Sequence, residues 1–144
     1  MSAPVRVAGI GGVFFKARDP AALAAWYRDQ LGVPVMPEGT HAVFAAGPDG
    51  RDATGAPLAV VWSAFPAGTA YCGPGPAGWM VNYRVADLDA MLAQLRAAGV
   101  WVAEQVEESE FGRFGWAADP EGTRFELWQP PPGGPPASSD APAT

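Results

Sequence analysis

Two segments of the chain show the same order of hydrophobic and polar positions. The segments VFFKARDPAALAAWYRDQLGVPV (13–35) and VNYRVADLDAMLAQLRAAGVWV (81–102) align at an offset of 68, and one deleted residue then brings Gly32 onto Gly99. Each begins with alternating residues, which is typical of a strand with one buried face, and continues with apolar residues at helical spacing. The pattern therefore predicts a strand followed by an amphipathic helix, twice.

Both predicted helices carry signals for where they begin and end. Asp19 and Asp87 precede the helical spacing and are suited to cap the first turn with their side chains. Pro20 then stands at the first helical position, where its missing N–H costs nothing. Gly32 and Gly99 follow the last apolar positions and are free to adopt the positive φ that ends a helix.

The repeat continues through the strands that follow. FAAGPDG (44–50) resembles WAADPEG (116–122) at an offset of 72, and LAVVWS (58–63) resembles RFELWQ (124–129) at an offset of 66 that aligns Trp62 with Trp128. Three ordered similarities indicate a duplicated unit. With three strands predicted after each helix, the unit is β-α-β-β-β, in tandem.

This organisation predicts one domain over residues 1–130. Repeat one covers about 9–65, a Gly- and Pro-rich linker about 66–77, and repeat two about 78–130. Residues 131–144 have almost nothing to bury and are predicted to form a disordered tail.

Composition excludes several classes of protein. With 144 residues, 49% hydrophobic content and six tryptophans, the chain is predicted to be globular. A net charge of −6 argues against nucleic acid as a partner. The sequence has one cysteine and no apolar run of the roughly 20 residues that a membrane span requires. We expect a cytoplasmic protein with no membrane partner.

The tandem unit resembles the vicinal oxygen chelate superfamily, the glyoxalase/bleomycin-resistance/dioxygenase family. DPAALAAWYRDQLG (19–32) looks like that family's first helix, and DPEGTRFELWQP (119–130) looks like its last turn and strand. The resemblance implies an α+β fold in which tandem βαβββ repeats form a curled, cup-shaped mixed β-sheet. It also implies a homodimer, and a divalent metal bound in the cup by the first and last strands of each half.

The metal positions implied by the resemblance are Gly12, Val60, Met80 and Glu126. Glu126 alone offers a donor for a hard or borderline cation, since a thioether prefers soft ions. His41 is the sole histidine and stands near a strand end, so whether it reaches the cup is open. The sequence predicts that the family metal site is largely lost and that no cofactor is needed.

Strand alternation places a set of side chains on the cup face beside these positions. The predicted ligand-binding residues are Phe14, Trp62, Met80, Asn82, Arg84 and Trp128. The structural alternatives are that the two tryptophans pack together as pseudo-symmetric core residues and that Arg84 is only solvated. A pocket with apolar walls and few polar groups suits a small organic molecule.

Glu126 is the candidate catalytic residue, because a carboxylate in mid-strand is costly to bury without a partner. One interpretation is a structural ion pair with Arg84 or Arg124. The other is a raised pKa, which suits a general acid or base. The glutamate-rich run 104–115 is predicted to be a solvated hairpin, with a flexible lid as its functional alternative.

These observations predict a protein that binds a small organic ligand, aromatic or cationic, in an aromatic-lined cup. The alternative is a divalent-metal-dependent lyase, isomerase or dioxygenase of the glyoxalase type. A third possibility is an enzyme that works without a metal and uses Glu126 as a base.

Overall fold

A computed structural model describes residues 4–37, 39–45, 49–73 and 76–132. It contains two helices and seven strands: β1 (Gly9–Ala17), α1 (Pro20–Leu31), β2 (His41–Ala45), β3 (Ala59–Pro66), β4 (Trp79–Arg84), α2 (Leu88–Ala97), β5 (Glu107–Ser109), β6 (Gly112–Ala118) and β7 (Arg124–Gln129). Nearly all of the predicted tail, residues 133–144, lies outside the described residues, as does part of the predicted GPDG turn.

The predicted helix boundaries are confirmed. The Asp19 and Asp87 side chains each accept a hydrogen bond from the backbone N–H three residues later. Gly32 ends α1 with φ 71°, and Gly99 has φ 80° just beyond α2. These capping interactions satisfy backbone groups that have no partner inside a helix.

The seven strands form one curled mixed sheet in the order β2-β3-β1-β4-β7-β6-β5. Within the halves, β1 pairs parallel with β3 and β4 pairs parallel with β7. The halves join where β1 and β4 pair antiparallel at the centre of the sheet. The first strand of each repeat therefore lies in the middle of the fold.

The prediction of three strands after each helix is confirmed in the second half, where β5, β6 and β7 follow α2. It needs correction in the first half, where only β2 and β3 follow α1 within the described residues. The segment after α1 forms a single bridge instead, between Val35 and Ala42. Prolines at positions 34 and 37 flank Val35 in the sequence, and proline has no N–H for a strand ladder. The first half therefore has the order β-α-β-β.

The second half has an additional short strand, β5, in the glutamate-rich run. It pairs antiparallel with β6 and its three residues are exposed. The predicted solvated hairpin is therefore confirmed.

The sheet has a hydrophobic core on each face. The convex face packs under α2 through Val85, Leu88, Met91, Leu92 and Leu127. The concave face holds the larger core of Phe14, Val61, Phe65, Cys72, Met80, Phe114, Trp116 and Trp128. The cup is thus lined by the aromatic side chains that the candidate site uses.

Candidate functional site

Glu126 lies at the centre of β7 and its side chain is completely buried on the concave face. Its carboxylate accepts hydrogen bonds from the hydroxyl of Tyr71, from Asn82 Nδ2 at 2.5 Å and from Trp116 Nε1 at 2.9 Å. All three donors are neutral. Within the described residues no cation forms a salt bridge with Glu126, so the predicted ion pair is wrong.

The raised-pKa interpretation describes this carboxyl better. Burial raises the pKa of Glu126 to about 7, while the hydrogen bonds from its three donors oppose a larger rise. Burial and the nearby Glu126 charge also raise the pKa of Tyr71, so its hydroxyl keeps its proton and donates. A buried group with a pKa near neutrality is able to gain or lose a proton under physiological conditions.

Tyr71 comes from the segment between the repeats and closes the concave face. Its ring packs against Phe65 at 5.2 Å, Phe14 at 5.8 Å and Trp116 at 6.4 Å between centroids. The adjacent Cys72 is buried in the same core. The sequence predicts only a linker here, because glycine and proline dominate the segment. An aromatic residue within such a segment was the available signal that part of it packs.

Most of the predicted ligand-binding residues lie together beneath Tyr71. The structure places five of them on the concave face with at most 2% exposure: Phe14, Met80, Asn82, Arg84 and Trp128. The indole of Trp128 stacks on Phe114 at 5.8 Å and donates to the carbonyl of Phe111 at 2.7 Å. In this conformation the five side chains are buried against one another and against the surrounding core. Contact between them and a ligand stays a prediction.

The predicted position of Trp62 on the cup face is wrong. Its ring lies 4.9 Å from that of Phe15 and 5.3 Å from that of Tyr27 in α1, so it packs on the helix side of the sheet. Val60 shares that face by alternation. The interpretation of Trp62 and Trp128 as a packed core pair is therefore also wrong.

The strand register explains this error. Ser63 pairs with Phe14, just as Glu126 pairs with Asn82, and Phe14 and Asn82 are matching positions 68 residues apart. Ser63 is therefore the counterpart of Glu126, and the offset between the last strands is 63 rather than 66. Aligning Trp62 with Trp128 shifts the last strand of the first half by three residues. Because side chains alternate between the faces of a sheet, an odd shift assigns each of them to the wrong face.

The space beside Gly12 is occupied by the chain itself. A Cβ added at Gly12 would lie 3.0 Å from the Val61 carbonyl oxygen and 3.1 Å from the Phe14 ring. His41 begins β2 opposite Ser63 and is half-buried. Among the described residues no group of three or more His, Cys, Asp or Glu side chains is arranged to hold a metal ion.

Arg84 is buried rather than solvated. Its Nε donates to Asp52 at 2.8 Å, one terminal nitrogen donates to the Pro57 carbonyl at 3.0 Å, and the guanidinium lies over the Trp128 ring at 5.1 Å. Burial tends to raise the pKa of Asp52, but hydrogen bonds from Thr54 and Arg84 outweigh it and hold that pKa below its usual value. The charge of Arg84 is thus neutralised within the protein.

An open cavity of about 700 Å³ adjoins the closed cup. Tyr71 and Trp116, the two aromatic donors to Glu126, form its inner wall, and Trp101 forms an outer wall. The remaining lining residues are Thr69, Ala70, Ala103, Glu104, Gln105, Glu107 and Arg124. Trp101 is not among the predicted site residues, because it lies between α2 and the hairpin, outside the strands used to define the cup.

Residues 12–128 match the glyoxalase-like domain family, and the chain belongs to that family. Among solved structures, it is similar to methylmalonyl-CoA epimerase from Mycobacterium tuberculosis, with 26% identity, 92% of this chain and 94% of that chain covered, and a TM-score of 0.60. The complex of a methylmalonyl-CoA epimerase with methylmalonyl-CoA and NH4+ gives 18% identity, 91% and 100% coverage, and a TM-score of 0.65.

The Mn(II)-bound glyoxalase from Novosphingobium aromaticivorans is also similar, with 21% identity, 87% of this chain and 40% of that chain covered, and a TM-score of 0.54. No curated protein matches the chain. The family match and these structures confirm the vicinal oxygen chelate resemblance and its α+β fold. Neither helix in the described ranges is long and apolar enough to cross a membrane.

Proposed function

We propose that the protein binds a small organic molecule, without a metal ion, in the cavity beside Tyr71. The observation that carries this proposal is the wall of three aromatic side chains, Tyr71, Trp101 and Trp116, around an opening of about 700 Å³. That volume lies within the range typical of ligand pockets. Besides the three aromatic rings, the lining includes five polar or charged side chains, those of Thr69, Glu104, Gln105, Glu107 and Arg124.

The arrangement of the aromatic walls supports a flat ligand. Trp116 is held by its hydrogen bond to Glu126, and Tyr71 is held by the same carboxylate. Trp101 is 55% exposed, which leaves a large apolar face in contact with water. A planar ligand lying against this face would remove apolar surface from water with little ordering of the inner wall.

The residues at the family's metal positions do not fit a divalent cation. Gly12 has no side chain, Val60 lies on the helix face of the sheet, and Ser63, the counterpart of Glu126 by register, offers only a neutral hydroxyl. Met80 offers a thioether, and the Glu126 carboxylate already accepts three hydrogen bonds. A catalytic zinc usually has three protein ligands, which these positions do not supply.

A second candidate function is metal-independent proton transfer at the cavity wall. Tyr71 lines the cavity while its hydroxyl contacts Glu126, whose pKa is about 7. Glu126 would hold the proton and the Tyr71 hydroxyl would connect it to a bound molecule. If the protein turns over a compound by this route, the Glu126→Gln variant should bind that compound with unchanged affinity but should no longer convert it.

Binding is tested with three naphthalene probes that share a ring system but differ in charge: 2-naphthoate, 2-naphthamide and 2-naphthylmethylammonium. We expect at least one to quench tryptophan fluorescence saturably, with the same affinity in EDTA as in Mn²⁺ or Zn²⁺. Trp101→Ala should weaken that binding, whereas Trp26→Ala, an exposed tryptophan on α1, should leave it unchanged. Binding of no probe, or binding only after metal is added, would overturn the proposal.

A further inference from the structure

The cavity contains a positive charge that the protein itself does not neutralise. Arg124, the first residue of β7, lines the cavity. Within the described ranges no carboxylate lies within 4.0 Å of its guanidinium. The Arg84 guanidinium, by contrast, is paired with Asp52 at 2.8 Å.

The Arg124 side chain is held in place by packing. Its guanidinium carbon lies 5.8 Å from the Trp101 ring centroid and 5.9 Å from that of Trp116. Its aliphatic stem passes close to Gly73, where an added Cβ would lie 2.9 Å from Arg124 Cδ. Two aromatic rings and the backbone of the linker turn thus fix the guanidinium before any ligand arrives.

The hydrogen-bonding capacity of this guanidinium is unused. Arg124 Nε is buried without a partner, and the terminal nitrogens donate to no other group in the described part of the chain while remaining accessible. Arginine presents its donors in a planar fork that matches a carboxylate. A carboxylate in the cavity could therefore bind end-on to the two terminal nitrogens.

We propose that the ligand is a planar aromatic carboxylate, with Arg124 as its anchor and Trp101 and Tyr71 as its ring contacts. This inference rests on the proposed function and assigns the charge of the ligand. A flat ring places its carboxylate in the plane of the ring, so one molecule can meet the guanidinium and lie between the aromatic walls. Arg124 sets the specificity and the aromatic residues provide most of the contact area.

A cationic ligand is the competing assignment, because Glu104 and Glu107 also line the cavity. Both glutamates are exposed and therefore well solvated. The Arg124 guanidinium lies 5.8 Å from the Trp101 ring centroid and 5.9 Å from that of Trp116. A second cation beside these rings would be repelled by Arg124, which favours the anion.

The test compares the three naphthalene probes on the wild-type protein and on Arg124→Gln. We expect 2-naphthoate to bind about ten-fold more tightly than 2-naphthamide, and 2-naphthylmethylammonium to bind weakest. Arg124→Gln should remove the ten-fold preference and leave 2-naphthamide affinity within about two-fold. Arg113→Gln is the matched control, because it removes the same charge from a surface pair with Asp89 and Glu108.

The outcomes separate this inference from the proposed function. If the neutral or cationic probe binds as tightly as 2-naphthoate, the cavity is a ligand site but the assigned charge is wrong. The assigned charge is equally wrong if Arg124→Gln keeps the preference for 2-naphthoate. If no probe binds, the proposed function itself fails. Should Arg124→Gln not fold, Arg124→Lys is used instead, with an expected loss of about three-fold because the planar fork is absent.

Discussion

The two halves of the sheet have the same strand register but different chemistry at its centre. In the second half, Glu126 pairs with Asn82 on one side and with Trp116 on the other. At the matching positions of the first half, Ser63 pairs with Phe14 and with His41. The duplicated backbone is kept, while the buried carboxylate and two of its donors, Asn82 and Trp116, belong to the second half; the third donor, Tyr71, comes from the segment between the repeats.

This difference shows that the concave face has two distinct roles. At these positions the first half contributes the ring of Phe14, which belongs to the hydrophobic core, and the buried hydroxyl of Ser63. The second half contributes a buried hydrogen-bond network that fixes Tyr71 and Trp116, which are both walls of the cavity. The network therefore positions the cavity wall, and substitutions at matching positions of the halves should have unequal effects.

The largest expected effect comes from removing the carboxylate at the centre of the second half. Glu126→Ala leaves the Tyr71, Asn82 and Trp116 donors without their acceptor and opens a cavity in the core. We expect the free energy of unfolding to fall by about 4 kcal/mol, measured by urea denaturation. Ser63→Ala, the matched change in the first half, should cost about 1 kcal/mol or less. Equal losses would mean that the network has no special role.

The second effect is a pH dependence of the free energy of unfolding, which originates at Glu126 in the second half. The pKa of Glu126 rises from 4.5 to about 7 on folding, so the folded state binds its proton more tightly than the unfolded state does. The resulting stabilisation is full below about pH 4.5 and is lost as the pH rises through 7. Between pH 5 and pH 8 the wild type should lose about 3 kcal/mol of unfolding free energy.

Two variants locate the source of this pH dependence. Glu126→Gln should remove the contribution of this carboxyl, because an amide does not titrate in this range. Ser63→Ala should keep it unchanged. The window from pH 5 to pH 8 lies above the pKa of Asp52, which is held below 3.8, so that carboxylate stays ionised throughout. A wild-type curve that is flat or rises across the window would contradict the assignment.

The helix boundaries and the correspondence of the first strands were predictable from the sequence, because residues close to one another in the chain determine them. The helix caps at Asp19 and Asp87 and the glycines after each helix depend on nearby residues, and all were found. The offset of 68 between the first strands was also correct, because Asp19 and Asp87, which follow these strands and cap the helices, are also 68 residues apart. The curled sheet was predicted from the resemblance to the vicinal oxygen chelate superfamily.

The remaining features depend on pairing between distant residues. The alignment of Trp62 with Trp128 relied on residue identity, whereas the structure aligns Ser63 with Glu126 by hydrogen-bonded register. The loops before these strands differ in length between the halves, so sequence spacing alone could not choose between the offsets. The contact of Tyr71 with Glu126 spans 55 residues and comes from a segment without strand or helix periodicity.

The third prediction compares the basic residues that match between the halves, Lys16 and Arg84. Arg84 is buried and paired with Asp52, while Lys16 is half-buried and forms no salt bridge within the described residues. Asp52→Asn keeps one acceptor for Arg84 but removes the compensating charge. We expect a loss of about 2 kcal/mol in the free energy of unfolding. Lys16→Gln should change it by about 0.5 kcal/mol at most, and a larger change would show a buried role for Lys16.

The smallest predicted effect concerns Gly12, which matches Met80 in the second half. The Met80 side chain is completely buried in the core, whereas the Phe14 ring and the Val61 carbonyl occupy the space beside Gly12. Gly12→Ala should therefore cost about 1 kcal/mol of unfolding free energy. Phe14→Leu replaces the ring with a smaller aliphatic side chain, so in that background the cost of Gly12→Ala should fall to about half.

The double-mutant cycle thus measures how much of the crowding beside Gly12 belongs to Phe14. An undiminished cost in the Phe14→Leu background would assign the crowding to the Val61 carbonyl, 3.0 Å from the added Cβ, rather than to the ring. In either case the position has no room for a larger donor side chain without movement of its neighbours. The absence of a donor at residue 12 is then a property of how the first half packs, and not of one substitution alone.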